Sequence, residues 1–278
     1  MSLPEELLDQ LAAHGLEVGD AFDGGEFGAR SMTDGDGRAW VLKVSTRADV
    51  AERLAYADAA TAALADRGCP VPGYGHRGRL GEGVWWLQQR LPGEVVVPWT
   101  VPVAQDLLGC LEQQRTVQLP WPSGEGATPD IEGGLRAIAA AHPTFADLGS
   151  AWTAVAHVEL RSGDVVHGDL HPLNVLTHAG ALSGVFDWDF AHPGDHRQDL
   201  VTLAYWSRAL ASVFGDEMLP AAEVVVSAME AAVPADVLAK LLLAMLSFEL
   251  GYTVTVHPDR IGWAADRVEE VRSWWALD

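Results

Sequence analysis

The chain has 278 residues, 49% of them hydrophobic, and a formal net charge of −21 at pH 7, a length suited to two small domains or two lobes about one cleft. So acidic a balance excludes nucleic acid as a partner, because a phosphate backbone is held by clustered Lys and Arg, and it favours cationic ligands. The two cysteines, Cys69 and Cys110, lack CxxC spacing and suggest neither a disulfide framework nor a zinc site, while the lack of a basic start before an apolar run, or of an uninterrupted apolar span, predicts a cytoplasmic protein with no membrane partner.

Residues 4–14, PEELLDQLAAH, are predicted to form a helix, with Pro4 and two glutamates in the first turn, where the helix dipole favours them. Val18 to Phe22 reads as a strand leading to the Gly-bearing hairpin turn Asp23-Gly24-Gly25. A second turn, Asp34-Gly35-Asp36-Gly37, enters Ala39-Trp40-Val41-Leu42-Lys43-Val44, a strand with a lysine inside an apolar run. Such a lysine needs an anionic partner or an exit to solvent. With 2 Lys against 16 Arg in the chain, Lys43 is suited to a task that needs a compact point charge.

Thr46 is placed to cap a helix over 47–67 that ends at Gly68. At helical period Val50, Leu54, Ala57, Thr61 and Leu64 form its inward stripe, with Asp58 on the flank and Glu52 nearly opposite. Gly83 to Leu91 reads as a strand closed by Pro92-Gly93-Glu94. Residues 103–117 follow as an amphipathic helix, the Pro- and Gly-rich interval 119–134 as a surface loop or flap, and 135–142 and 145–160 as further helices.

The next stretch, HGDLHPLNVLTHAGALSGVFDWD over residues 167–189, sets Asp169, Asn174 and Asp187 at the mouths of two short apolar runs, Val165-Val166 and Leu182 to Phe186, expected to form a small strand pair. An Asp at a strand end accepts a hydrogen bond from a substrate hydroxyl and orients or deprotonates it. An Asn carbonyl and a second carboxylate are hard oxygen ligands suited to magnesium, which takes further ligands from water and phosphate oxygens. Together they are parts of the phosphoryl-transfer template. Downstream, Asp199 is placed as the N-cap of a helix, and helices over 200–214, 220–232, 235–250 and 259–275 are punctuated by Pro220, Pro234, Gly251 and Pro258.

His167-Gly168-Asp169, four intervening residues, Asn174, and then Phe186-Asp187-Trp188 resemble the signature of the aminoglycoside phosphotransferase and choline kinase superfamily, a group related to the protein kinases. The resemblance implies an α+β, protein-kinase-like two-lobed fold: a small, mostly antiparallel β N-lobe with one helix over residues 1–90, and a larger, mainly helical C-lobe over 91–278. It implies an O-phosphotransferase that moves the γ-phosphate of ATP or GTP to a hydroxyl of a small cationic molecule, foremost an antibiotic such as an aminoglycoside or basic peptide, as a resistance enzyme. A metabolic alcohol such as choline, homoserine or a sugar is the alternative acceptor, and a nucleotide-binding pseudokinase the alternative without transfer.

On the same resemblance Asp169 takes the acceptor proton, Asn174 and Asp187 hold Mg2+, and Lys43 contacts the nucleotide phosphates. An acid on the helix after Lys43 should pair with it; the usual spacing lands on Ala57, which leaves Glu52 and Asp58, and the flank position favours Asp58. The hairpin at 23–25 would lie over the phosphates. LQQRLPGE resembles the hinge between lobes, with backbone groups of Gln89 and Leu91 on the adenine edge. His167 and Asp199 would brace the catalytic loop, and Asp189 and Glu249 would receive an amine-rich acceptor. No oligomeric state is implied.

Overall fold

Helix α1 (Glu5–Ala13) lies on a five-stranded antiparallel sheet of β1 (Glu17–Ala21), β2 (Arg30–Thr33), β3 (Ala39–Ser45), β4 (Tyr74–Leu80) and β5 (Gly83–Gln89), in the order β1-β2-β3-β5-β4. These elements come from a computed structural model, which describes residues 3–22, 29–46, 50–123 and 130–275. The hairpin turn expected over the phosphates, and the helix start expected at 47–49, lie outside the described residues.

Side chains alternate across a strand, and in β3 that alternation decides where Lys43 goes. Leu42 faces α1 and joins Leu7, Leu11, Leu16, Met32, Trp85 and Leu87 in one apolar core. Lys43, opposite Trp86 in the register of β3 and β5, takes the other face. There Trp86 packs on Val50 and Leu54 of helix α2 (Val50–Ala65). Further along, Tyr56, Ala57, Ala60 and Leu64 of α2 belong to the core of the larger lobe, so this one helix ties the sheet to the rest of the molecule. The chain leaves it through Gly68 at φ +84, where only glycine is comfortable.

The larger lobe is helical, as expected: α3 (Val101–Gln114), α4 (Ile131–Ala141), α5 (Leu148–Val155), α6 (Arg197–Phe214), α7 (Leu219–Ala232), α8 (Ala235–Val256) and α9 (Ile261–Trp275). Two small ribbons are inserted before α6, one pairing β6 (Asp164–Val166) with β9 (His192–Gly194), the other β7 (Val175–His178) with β8 (Ala181–Val185). The apolar runs at Val165 and at Leu182 to Phe186 therefore do not pair with each other. The reason is local: a tight turn at Ala179 and Gly180, both at positive φ, folds β8 back on β7 and leaves β6 to the later strand.

Three further boundaries depart from the expected ones. Helix α4 begins at Ile131, inside the interval read as loop, because the Asp130 side chain accepts a hydrogen bond from Gly133 N–H at 2.9 Å and caps it. Gly251 does not end α8, which continues to Val256. A glycine costs a helix only about 1 kcal/mol relative to alanine, and burial of Leu241, Leu242, Leu246 and Leu250 outweighs that. The N-cap of α6 is His196, not Asp199, which sits in the first turn. Among the described residues α8 alone is long and apolar enough to cross a membrane by length and composition, and half of that stretch is buried inside the fold.

Candidate active site

Strand β6 delivers Val165 and Val166, both fully buried, to a loop that begins at His167. The next residue, Gly168, has φ +85, and a Cβ there would lie 2.5 Å from the Phe190 carbonyl oxygen. No other residue meets both demands. Gly168→Ala is expected to destabilise the protein by about 2 kcal/mol or more, read as a lowered thermal midpoint; an unchanged midpoint would contradict the tight contact.

The loop is held from two sides. His167 is wholly buried; its Nδ1 accepts from Asp169 N–H at 3.2 Å and its Nε2 lies 2.8 Å from the Phe186 carbonyl oxygen. A carbonyl only accepts, so the imidazole proton sits on Nε2. The ring also packs on Trp188, centroids 4.6 Å apart. From the other side the buried Asp199 carboxylate accepts His167 N–H at 2.6 Å, Gly168 N–H at 3.0 Å and the Gln114 side-chain amide at 2.9 Å. Three elements, α3, α6 and the loop, thus meet on one carboxylate.

Asp169 follows, with Asn174 across from it in the 3-10 turn Pro172–Asn174. The Asn174 amide donates to the Asp169 backbone carbonyl at 2.9 Å and lies 3.4 Å from its Oδ2. His171 Nε2 is 3.7 Å from the same oxygen, and the His171 ring faces Trp206 at 5.9 Å. Burial lowers the affinity of His171 for a proton, but the hydrogen bond and charge of Asp169, with Glu249 and Asp187, raise it overall.

Lys43 points from β3 into this cleft, its Nζ 2.7 Å from Asp187 Oδ1 and 2.7 Å from Asp189 Oδ2. Burial opposes the charge on Lys43, yet the two carboxylates hold it firmly protonated. Asp187 occupies the left-handed region at φ 67, ψ 50, a conformation that Asp tolerates better than most side chains. Burial pushes its carboxyl up, but Lys43 beside it brings the balance down to about 2. Asp189, on the following 3-10 turn Trp188–Phe190, is pushed up to about 7, by burial first and by the charge of Asp187, against the downward pull of Lys43. One of its oxygens, Oδ1, is buried with no hydrogen-bond partner among the described residues.

One expectation is corrected here. Asp58 does not pair with Lys43: its carboxylate lies 4.0 Å from Arg77, with both side chains exposed, because the face of α2 that meets the cleft is the apolar one. Glu52 is no substitute, since it accepts from Trp121 Nε1 at 3.3 Å. Asp189, expected on the acceptor side, lies against Lys43.

Glu249, the other acid expected on the acceptor side, lies on α8 and accepts from Trp206 Nε1 at 3.1 Å. Burial first, and then the charge of Asp169, push its carboxyl up to about 7. Trp206 stacks against Trp263 at 6.4 Å, and Trp263 is 43% exposed, so an aromatic wall flanks the acid. At the end of β5, Gln89 N–H donates to the Gly73 carbonyl at 2.8 Å, while the Leu91 side chain packs toward Gly184. Among the described residues, the remaining cluster of metal-ligating types is Asp164, Asp195 and His196. Those carboxylates are already answered by Arg161 at 2.8 Å and Arg197 at 2.6 Å, an ion-pair network at the start of α6.

The model of the phosphotransferase enzyme family matches residues 21–232. The chain belongs to that family. A search of curated proteins finds no match. Among solved structures, a thermostable mutant of the aminoglycoside phosphotransferase APH(4)-Ia in its apo form is similar at a TM-score of 0.73 and 20% identity, covering 96% of this chain and 98% of that one. The amicoumacin kinase hAmiN, in complex with AMP-PNP, Ca2+ and Ami, aligns at 0.67 and 14% identity over 98% and 94%. The macrolide 2'-phosphotransferase MphH from Brachybacterium faecium aligns at 0.57 and 22% identity over 95% and 98%. At these identities the likeness establishes the fold, the expected two-lobed α+β arrangement.

Several residues of this phosphotransferase's site were not singled out from its sequence. His171 stands inside the motif itself, two positions after Asp169, and its spacing was the available signal. Gln114 and Trp206 had none, because a glutamine or tryptophan on an amphipathic helix reads as surface or packing.

Proposed function

We propose that this phosphotransferase moves the γ-phosphate of ATP or GTP to a hydroxyl of a small cationic molecule, foremost an antibiotic. The observation that carries the reading is that Asp187 meets the Lys43 ammonium at 2.7 Å, while Asn174 lies against Asp169 and the Asn174 backbone carbonyl accepts the N–H of Phe186, the residue before Asp187. Solved relatives hold ADP with hygromycin B, or AMP-PNP with Ca2+ and Ami, which supports a nucleotide and a divalent ion as the co-reactants.

The residues present fit magnesium. Asp187 is the more exposed of the two acids, with 35% of its side chain accessible, and Asn174, whose amide nitrogen is engaged by Asp169, keeps its carbonyl oxygen for a ligand. When bound, magnesium neutralises charge on the β- and γ-phosphate oxygens. Lys43 supplies a fixed positive charge to the same phosphates. Asp169 accepts the acceptor hydroxyl's proton, or orients the hydroxyl for attack, and the Asp199 brace keeps it from drifting. Chemistry of this kind rests on positioning and preorganised charge, so a few residues on rigid elements suffice. Backbone groups of Gln89 and Leu91 hydrogen-bond the adenine edge.

On the acceptor side, Glu249 and the Trp206–Trp263 wall favour an amine-bearing molecule, because an aromatic face and a carboxylate both attract cations. The test is transfer of labelled γ-phosphate from ATP and from GTP across aminoglycosides, cationic peptide antibiotics, macrolides and metabolic alcohols. Labelled product from a cationic antibiotic is the expected result. Preference for a metabolic alcohol would replace the acceptor class, and no product with any acceptor, despite nucleotide binding, would overturn the transfer itself.

A further inference from the structure

Lys43 has two acidic partners at the same distance, 2.7 Å, and the reading above gives one of them a second task. Asp187 is the more exposed, at 35% of its side chain. Asp189 is accessible to only 18%, and Lys43 to 11%. A metal that engages Asp187 weakens its hold on the ammonium, and a buried lysine without a carboxylate is strongly disfavoured. The helix beside it supplies no replacement. Tyr56, Ala57 and Ala60 of α2 share one apolar core with Trp188, while Asp58 and Glu52 are engaged with Arg77 and Trp121.

We propose that Asp189 is the positioning residue for Lys43, standing on the 3-10 turn after Asp187 and doing there what an acid on the packed helix would otherwise do. Its own position is fixed by its neighbour. Trp188 is buried, donates from Nε1 to the Val185 carbonyl at 2.9 Å and packs against the His167 ring. The turn is therefore locked to the catalytic loop on one side and to α2 on the other. Two carboxylates facing one ammonium leave an excess negative charge, which suits a division of labour: Asp187 for the divalent ion, Asp189 for the lysine. This inference rests on the phosphotransferase reading of Lys43 and deepens it.

The experiment compares full-length wild type with Asp189→Asn, which keeps the shape and removes the charge, and with Asp189→Glu. Steady-state kinetics separate KM for nucleotide from KM for acceptor. A second measurement needs no turnover: acetylation of lysine by a small N-hydroxysuccinimide ester, in excess Mg2+ without nucleotide, followed by peptide mass spectrometry. The chain has only two lysines, so Lys240 serves as internal reference.

For Asp189→Asn the expected result is a nucleotide KM raised about tenfold, an unchanged acceptor KM, and acetylation of Lys43 accelerated about tenfold, with partial recovery in Asp189→Glu. Should the amide variant fail to fold, Asp189→Ser is read by the same acetylation assay. A raised acceptor KM with unchanged nucleotide KM would return Asp189 to the acceptor side and overturn the proposal. So would a raised Mg2+ requirement alone, which would make Asp189 a metal ligand, or an unchanged Lys43 acetylation rate. If wild type transfers no phosphate, the proposed function fails, while the acetylation comparison still decides whether Asp189 holds Lys43.

Discussion

Replacing Asp169 with asparagine is expected to lower the turnover number about a thousandfold while nucleotide affinity stays within a few-fold of wild type. The expectation follows from what the substitution leaves alone. Asn174 reaches the backbone carbonyl of residue 169 at 2.9 Å and the side chain only at 3.4 Å, so the loop keeps its main tie. The His167 and Asp199 contacts below it involve backbone amides and are untouched. What disappears is a carboxylate that can accept a proton, and with it one source of the upward push on the Glu249 carboxyl. Single-turnover transfer and calorimetric titration of nucleotide separate the two effects. Retention of most of the turnover would sink Asp169 as the proton acceptor.

Asp199→Ala is expected to destabilise the whole protein by about 3–5 kcal/mol and to remove activity with it. Asp199 is fully buried, and its two oxygens answer two backbone amides of the loop and the side chain of Gln114. Alanine would leave three donors without an acceptor in a place water does not reach, each costing about 1–3 kcal/mol. Asp199→Asn should be intermediate, since one oxygen remains while an amide NH2 group faces a donor. Thermal or urea unfolding of the three proteins gives the order. A midpoint for Asp199→Ala equal to wild type would show that the loop holds itself without the brace.

The parts of the site that were legible in the sequence are those whose chemistry is local. Asp169 and Asn174 lie five residues apart on one loop, so spacing alone brings them together. Lys43 stood out because a charge inside an apolar strand must be answered. Its partner was not legible, because the answer comes from 144 and 146 residues away along the chain and not from the neighbouring helix. Counting acids on α2 could only choose between two wrong residues once the inward face was apolar at Ala57. Likewise β6, three residues long, carries too little pattern to name its strand partner. The two-lobed architecture was legible through the family resemblance carried by His167-Gly168-Asp169, Asn174 and Phe186-Asp187-Trp188, whereas helix ends such as those at Gly251 and Ile131 depend on tertiary burial and on one capping carboxylate.

The left-handed turn at Asp187 sets the fold and the chemistry against each other at one residue. At φ 67 glycine would sit without strain, while a side chain gives up about 1–2 kcal/mol to stand there. Glycine, however, would bring no oxygen to Lys43 or to a metal. The strain of the turn is thus offset by the ion pair it makes possible, so that the backbone cost and the holding of the buried ammonium are tied to one residue.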